Sequence, residues 1–401
     1  MKHPMFKLVP LALATAVALA ACGKKEEAKP AAPAAQAPAA APAPAPAPAV
    51  IKVGHVAPLT GGIAHLGKDN ELGARLAVEE INAAGGVKLG DQTYKLELVP
   101  EDDKADPKEG TIAAQKLVDA GVVAVVGHLN SGTSIPASKI YSDASVTQIS
   151  PSATNPKYTE QGFKTTFRVV ANDNQQGAVL ANYAKGALKA KTVAIIDDRT
   201  AYGQGLADVF EKVAKEGGIK IVTREFTNDK ATDFNAILTK VKAGKPDVIM
   251  YGGMDATAGP MAKQMKQLGI KSVLLAGDGV CSPEFIKLAG DAAEVLHCSM
   301  AGEAVEKLAK GEEFKAKYKA KFNQEVQVYS PYSYDAVYVI ADALKRAGKA
   351  DRAAVTGAMP ATSYPGLTGT IAFDEKGDIK NGAISMFQVK DGKLEHLKTI
   401  R

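Results

Sequence analysis

The 401-residue chain has no tryptophan, three cysteines, and a single extended apolar run, which lies near its start and is too short to span a bilayer comfortably. Its formal net charge of +5 is small, and basic and acidic residues are interspersed. No basic block alternates with aromatic residues, so we expect no nucleic-acid partner. The whole chain has 46% hydrophobic residues and is apolar enough to be globular, and from Val50 onward it is long enough to form one large domain or two smaller ones.

Motifs of nucleotide-binding enzymes are incomplete. GIAHLGK, residues 62–68, has the glycine and lysine spacing of a phosphate-binding loop, but Asp69 stands where serine or threonine would ligate magnesium. We interpret this segment as a flexible loop before a helix. The segments GQGLAD (203–208) and GDGVCS (277–282) begin like dinucleotide fingerprints but lack the third glycine. We therefore expect no cofactor.

Hydrolase and metal motifs are missing too. The chain contains neither Gly-x-Ser-x-Gly nor His-Glu-x-x-His. His128 precedes Ser131 by three residues, but a nucleophilic serine also needs an acid that orients its base, so we interpret His128 as a loop or strand-end residue. Asp102 and Asp103 lack the spacing of a calcium loop, and we interpret them as a solvated strand end that hydrogen-bonds nearby loops. We expect no metal site and no enzyme.

The start of the chain predicts export. Lys2 and Lys7 precede a short apolar run, and Leu19-Ala20-Ala21-Cys22 resembles a bacterial lipobox. We predict a signal peptide at 1–21, lipidation of Cys22, and an Ala/Pro-rich tether that continues to residue 49. The alternative is an ordinary signal with an incidental cysteine. The expected location is the periplasm or cell surface, with a lipid anchor in a bacterial membrane.

Two cysteines remain if Cys22 is lipidated. An exported location permits a disulfide between Cys281 and Cys298. Metal binding by this pair would need further ligands, and only His297 lies nearby in the sequence. We favour the disulfide.

Runs of β-branched residues alternate with helical patterns, which is typical of a parallel sheet covered by helices. Two series of strand, polar loop, helix, Gly-Gly and strand follow one another, so we predict two similar lobes. Ligands of such sheets bind beyond the carboxyl ends of the strands. Small and hydroxyl residues crowd the loops there, and GHLNSGTS (127–134) joins a buried strand to a helix start that suits an anion.

Several segments in order resemble one family, the branched-chain amino-acid-binding proteins of bacterial ABC importers. They include IKVGHVAPLTGG, GHLNSGTSIPASKIY, ISPSATNP, DDRTAYGQGLADVF and DVIMYGGMDATAG. The resemblance implies an α/β, Venus-flytrap fold of the type I periplasmic-binding-protein class, with two Rossmann-like lobes joined by three crossovers. The first lobe would hold 51–170 and 300–375, and the second 171–299 and 376–401.

The resemblance also implies a ligand site. Ser131 and nearby backbone amides would hold the ligand carboxylate, and Ser152 and Thr154 would meet the carboxylate and the ammonium. Tyr202 would cover the ligand from the second lobe, and Asp278 would pair with the ammonium. A helix start and hydroxyls suit the negative end of an amino acid, and a carboxylate suits the positive end. The other predicted site residues are Leu129, Asn130, Ala153, Leu66 and Met254.

Five positions depart from the family pattern. Ala105 and Asn130 stand where some relatives have a cysteine pair, and the other three concern the ligand. Leu66 and Met254 stand where relatives often have aromatic residues, and Asp278 is shorter than the family's glutamate. The amino-acid class therefore carries over better than the branched-chain preference. We expect a monomeric lipoprotein that captures an aliphatic amino acid and delivers it to an ABC permease. The alternatives are another small ligand (a different neutral amino acid, an amide, urea or an aromatic acid), a sensory or regulatory module and, last, an exported hydrolase.

Overall fold

The computed structural model describes residues 49–401, and the predicted signal peptide, Cys22 and the tether up to residue 48 lie outside the described residues. Within the described part, no helix is long and apolar enough to cross a membrane. The first series of elements is β1 (Ala49–Ala57), α1 (Ala64–Ala83), β2 (Val87–Leu89), β3 (Gln92–Asp102), α2 (Pro107–Asp119), β4 (Ala124–Gly127), α3 (Ser131–Asp143), β5 (Thr147–Ser150), α4 (Lys157–Glu160) and β6 (Thr166–Arg168).

The second series begins where the first ends. It consists of α5 (Asp173–Gly186), β7 (Thr192–Asp197), α6 (Ala201–Glu216), β8 (Lys220–Phe226), α7 (Asn235–Ala243), β9 (Val248–Gly252), α8 (Asp255–Gln267), β10 (Val273–Ala276), α9 (Pro283–Ala289) and β11 (Leu296–Met300). The last elements are α10 (Gly311–Phe322), α11 (Ser330–Ala347), α12 (Arg352–Ala358), β12 (Tyr364–Gly366), β13 (Gly369–Ile371), β14 (Ile384–Lys390) and β15 (Lys393–Ile400).

Two sheets form the centres of two lobes. The first has six strands in the order β2-β3-β1-β4-β5-β6, and the second has seven in the order β15-β14-β11-β10-β9-β7-β8. If the parallel strands of each sheet are numbered along the chain, both orders read 2-1-3-4-5. The internal repeat seen in the sequence is therefore a repeat of topology.

The chain crosses between the lobes three times. It leaves the first lobe after β6, and it returns after β11 to add α11, which packs on α1. It crosses again after β13, because β14 pairs antiparallel with β11 of the second sheet. The predicted α/β fold of two Rossmann-like lobes with three crossovers is confirmed.

Local sequence explains why these elements form. The four residues of β4 are all buried, as expected of a β-branched run in the middle of a parallel sheet. Asp106 caps α2 by accepting hydrogen bonds from the N–H groups of Lys108 and Glu109, and Thr200 caps α6 through the N–H of Gly203. The loops that leave β1, β4, β7, β9 and β10 all emerge at the carboxyl ends of their strands, where a ligand site is expected.

The interpretation of GIAHLGK as a flexible loop is wrong, because α1 already begins at Ala64. No side chain caps this helix start, so no capping residue in the sequence marks where the helix begins. The glycine of the motif serves packing. A Cβ at Gly67 would lie 2.0 Å from the carbonyl oxygen of Pro58, so glycine allows α1 to approach the loop after β1.

Candidate ligand-binding cleft

On the first lobe, the start of α3 faces the cleft between the lobes. Its cap residue, Asn130, makes no side-chain capping bond, and no other residue within 49–401 donates a hydrogen bond to the Asn130 Oδ1 atom. The Ser131 hydroxyl is buried and accepts a hydrogen bond of 3.2 Å from the backbone N–H of Asn155. A helix start without a capping side chain leaves N–H donors for an anion.

The loop after β5 is held rigidly beside α3. The Ser150 hydroxyl donates to the carbonyl of His128 at 2.8 Å and accepts from the N–H of Ala153 at 2.8 Å. Arg168, which is fully buried, donates to the carbonyl of Ala153 at 2.7 Å and to Asp378 at 2.6 Å. These bonds tie the loop that carries Ser152 and Thr154 both to its own sheet and to the third crossover.

The second lobe contributes a buried carboxylate. Asp278 Oδ1 accepts hydrogen bonds from Gln176 Nε2 at 2.8 Å and from the Tyr202 hydroxyl at 2.9 Å. Asp278 Oδ2 accepts from the Tyr329 hydroxyl at 2.7 Å. Burial raises the pKa of Asp278, and these three bonds partly offset that shift. A carboxylate held here is a strong acceptor for a cationic group.

No sequence motif pointed to Tyr329 as a cleft residue. It lies just before α11 of the first lobe, 51 residues from Asp278, and its hydroxyl reaches across the cleft. Asp69, the residue that broke the phosphate-loop motif, holds it in place: its carboxylate accepts the backbone N–H groups of Gln327, Val328, Tyr329 and Ser330 at 2.7–3.0 Å. No local motif marks an anchor that joins segments so distant in the chain.

Two further bonds join the lobes. His65 of α1 and Asp255 of α8 approach to 2.7 Å between Nε2 and Oδ2, and Asn155 Nδ2 donates to the carbonyl of Ala201 at 2.5 Å. Burial disfavours protonation of His65, but the hydrogen bond and charge of Asp255 outweigh it, so the pKa of His65 is raised. The structure therefore shows a closed cleft.

The closed cleft contains a small pocket of about 10 Å³. Seven predicted site residues line this cavity together with Tyr329: Leu129, Asn130, Ser131, Ser152, Tyr202, Met254 and Asp278.

The structure places the other three predicted residues beside this cavity rather than on it. Ala153 and Thr154 are buried in the loop after β5. Leu66 is buried in an apolar cluster that spans both lobes and includes Leu129, Val328, Tyr329 and Met254. This cluster gives one side of the cleft an aliphatic surface.

His128 is engaged away from Ser131. Its Nδ1 atom lies 3.0 Å from Asp103 Oδ2, and its Nε2 atom lies 3.1 Å from the Tyr141 hydroxyl. The interpretation of Asp103 as solvated is wrong, because it is fully buried under this bond. Asp102 does bond to a neighbouring loop, through the N–H of Leu59 at 2.9 Å. These polar groups stabilise the first lobe below the cleft.

Cys281 and Cys298 are joined by a disulfide, with their Cα atoms 5.5 Å apart. It links the loop after β10, which carries Asp278, to strand β11. Within residues 49–401, no group of three His, Cys, Asp or Glu side chains is arranged to hold a metal ion.

Two lobes of repeated topology, with polar groups converging on a closing cleft between them, define a substrate-binding protein. The sequence matches the family model for periplasmic binding proteins over residues 50–393, and the chain belongs to that family. Family membership identifies it as a binding protein rather than an enzyme, and it implies that the folded domain works outside the cytoplasm.

Individual relatives agree with this assignment. A Leu/Ile/Val-binding protein homolog from Brucella abortus is 38% identical over 354 residues, which cover 87% of this chain and 94% of the relative. The crystal structure of a leucine-binding protein from Thermotoga maritima superposes with a TM-score of 0.81 at 30% identity, covering 87% of this chain and 98% of that one. A branched-chain amino-acid transporter substrate-binding protein from Streptococcus pneumoniae, in complex with isoleucine, gives 0.80 at 31% identity, with 88% and 99% covered.

Proposed function

We propose that this protein captures an aliphatic, branched-chain amino acid in the cleft and delivers it to an ABC importer. The observation that best supports this proposal concerns Asp278. This buried carboxylate accepts hydrogen bonds from both lobes and lies opposite the uncapped start of α3. A zwitterion offers an ammonium group to the carboxylate and a carboxylate to the helix start. The names of the relatives, which refer to leucine, isoleucine and valine, support the same ligand class.

In this proposal the ligand ammonium binds Asp278, with the Thr154 hydroxyl as a further acceptor. The ligand carboxylate binds the N–H groups at the start of α3 and the hydroxyls of Ser131 and Ser152. Tyr202 covers the ligand from the second lobe. The aliphatic side chain points toward the apolar cluster that contains Leu66 and Met254. Lobe closure then encloses the ligand by hinge motion at the crossovers.

Delivery and anchoring complete the proposal. The protein would be exported, lipidated at Cys22 and held at a bacterial membrane, and it would act as a monomer that docks on the permease of the importer. Labelling with a radioactive fatty acid tests the anchor: wild-type protein should incorporate label, and Cys22→Ala should not. Incorporation into the Cys22→Ala protein would contradict lipidation at this residue.

Titration calorimetry tests the ligand. Purified protein should bind leucine, isoleucine or valine, and Asp278→Asn should weaken that binding. Removing the carboxylate leaves the enclosed ammonium without a partner and costs on the order of 2–5 kcal/mol, or about 30- to 5,000-fold in Kd. Ser131→Ala should cost less, about 1–1.5 kcal/mol, because backbone N–H groups still hold the ligand carboxylate.

The matched control is Asp335→Asn. Asp335 is also a buried carboxylate, but it accepts hydrogen bonds from Leu367 and Thr368 rather than from cleft residues. Its removal should leave the Kd for leucine unchanged. If Asp278→Asn binds leucine as tightly as the wild type, the ammonium site is wrong. Binding of amides, urea and aromatic acids should then be measured by the same calorimetry. A ligand that binds but is not transported by the importer would indicate a regulatory role.

A further inference from the structure

Behind the cleft, two buried carboxylates share one amide group. Gln176 Nε2 donates to Asp278 Oδ1 at 2.8 Å and to Asp173 Oδ1 at 3.0 Å. The Gln176 Oε1 atom accepts from the Ser299 hydroxyl at 2.9 Å, which fixes the orientation of the amide. Asp173, Asp278 and Gln176 are all at most 2% exposed. The amide therefore donates hydrogen bonds to two acids that are both buried in the closed cleft.

Within residues 49–401, neither acid has a cationic hydrogen-bond partner, and the nearby charge of Arg168 offsets less of the pKa rise of Asp173 than burial causes. Four groups face Asp173. They are Asp278 in the loop after β10, Tyr202 in α6, Tyr329 in the segment before α11, and Arg168 in β6. Arg168 is the single cation in that set, and its guanidinium is hydrogen-bonded to Asp378, Thr159 and two backbone carbonyls rather than to either acid.

Two polar atoms at the pair are unsatisfied. Within residues 49–401, Asp173 Oδ2 and Thr154 Oγ1 are buried and have no partner at hydrogen-bond distance, although the Thr154 hydroxyl faces Asp173 and partly offsets the rise of its pKa. A buried acceptor without a donor is costly unless the group carries a proton itself. Burial, reinforced by the negative charge of Asp278, raises the pKa of Asp173 to about 7.

We propose that the Asp173–Asp278 pair holds one proton in the ligand-free cleft and releases it to solvent when the ligand ammonium binds Asp278. This inference rests on the proposed function, because it needs a cationic ligand. The ligand ammonium brings one positive charge into the site as the proton leaves, so the net charge of the site is unchanged. After binding, the ligand is still a zwitterion and both acids are ionised. Asp173 is a positioning residue: it acts on the ligand through Asp278.

Release of a proton on binding makes affinity depend on pH with a definite sign. Below the pKa of the pair, the Kd should fall by up to about tenfold for each unit of pH, and above it the Kd should be constant. His65 acts in the opposite direction, because closure that forms its bond to Asp255 takes up a proton. The two contributions are separated in His65→Gln, which keeps a nitrogen donor but does not titrate.

The experiment is calorimetry with leucine at pH 6, in phosphate and in Bis-Tris, which both buffer at this pH and whose ionisation enthalpies differ. The difference in observed enthalpy gives the number of protons released. The His65→Gln protein should release nearly one proton, and its Kd should fall about tenfold from pH 5.5 to 6.5 and level off above pH 7.5. Adding Asp173→Asn should abolish the release and the pH dependence, while Asp335→Asn, the matched buried acid, should change neither.

The outcomes distinguish this inference from the proposed function. If no amino acid binds at any pH, the proposed function fails. If leucine binds to His65→Gln with the same enthalpy in both buffers, the function stands and the proton exchange is wrong. Continued release in the protein that also carries Asp173→Asn would overturn it as well. Should that variant fail to fold, the buffer and pH dependence of His65→Gln decide the matter alone.

Discussion

The ion pair between His65 and Asp255 should control how tightly the lobes close on a ligand. It joins α1 of the first lobe to α8 of the second at 2.7 Å, and the Asp255 side chain is fully buried while that of His65 is 22% exposed. Asp255 also accepts a hydrogen bond from the Ser282 hydroxyl, within its own lobe. In an open cleft Asp255 would lose His65 and meet water instead, so the pair stabilises the closed form selectively.

The magnitude follows from this partial burial. Exposed ion pairs contribute below about 1 kcal/mol, and breaking a fully buried pair costs about 3–5 kcal/mol. His65→Gln retains a hydrogen bond and removes only the charge, so we expect a loss of about 1–2 kcal/mol, or about 5- to 30-fold in the Kd for leucine.

The pH dependence of this loss has a fixed sign. Because the pKa of His65 is raised in the closed form, its contribution is complete below about pH 6.5, the ordinary histidine value, and disappears as pH rises through the raised pKa. His65→Gln should therefore bind leucine more weakly than the wild type at pH 6, and by a smaller factor at pH 8.

Calorimetry at these two pH values gives the ratio of the Kd of His65→Gln to the Kd of the wild type. Both proteins contain Asp173, so its contribution cancels in this ratio. Asp255→Asn should give a loss of its own at pH 6, and adding His65→Gln to it should cost nothing more if the two residues act as a pair. Equal Kd values for wild type and His65→Gln at pH 6, or a ratio that stays the same at pH 8, would refute the reasoning.

Three further predictions concern other parts of the molecule. Replacing Cys281 and Cys298 by serine should lower the free energy of unfolding by about 3 kcal/mol, because the disulfide closes a loop with a sequence separation of 17. Urea titration measures this loss, and a value below about 1 kcal/mol would contradict the prediction. Leu66→Ala should lower the free energy of unfolding by about 2–5 kcal/mol and weaken leucine binding more than alanine binding, because it removes a buried side chain from the apolar cluster; an unchanged ratio of the two Kd values would count against that role. Deleting residues 23–49 should leave the Kd for leucine unchanged, because an Ala/Pro-rich tether cannot bury enough apolar area to form part of the site, and a tenfold loss would show otherwise.

The sequence was sufficient for features that depend on local pattern. Strands such as β4 and helices such as α6 follow from β-branched runs and capping residues that act within a few positions. The placement of ligand loops at the carboxyl ends of strands is a property of parallel sheets, and the loop that starts α3 was found in this way. The internal repeat predicted two lobes, although the common strand order became visible only in the structure.

Errors arose where a residue acts on a distant segment. Asp69 looked like a defect in a phosphate loop, and its carboxylate in fact holds the backbone before α11. Asp103 looked solvated because charged residues surround it in the sequence, yet it is buried against His128. The chemistry of a carboxylate is the same in either setting, so residue type alone cannot distinguish them.

By itself, the sequence determined the α/β class, the two-lobed arrangement and the chemical character of the loops, because these depend on periodicity and residue type. Tertiary structure alone decided which groups meet across the cleft. Tyr329 reaches Asp278, and His65 reaches Asp255, over 51 and 190 residues of chain. Such contacts form because three crossovers bring two separate sheets together, and a one-dimensional pattern carries no record of the distances that result.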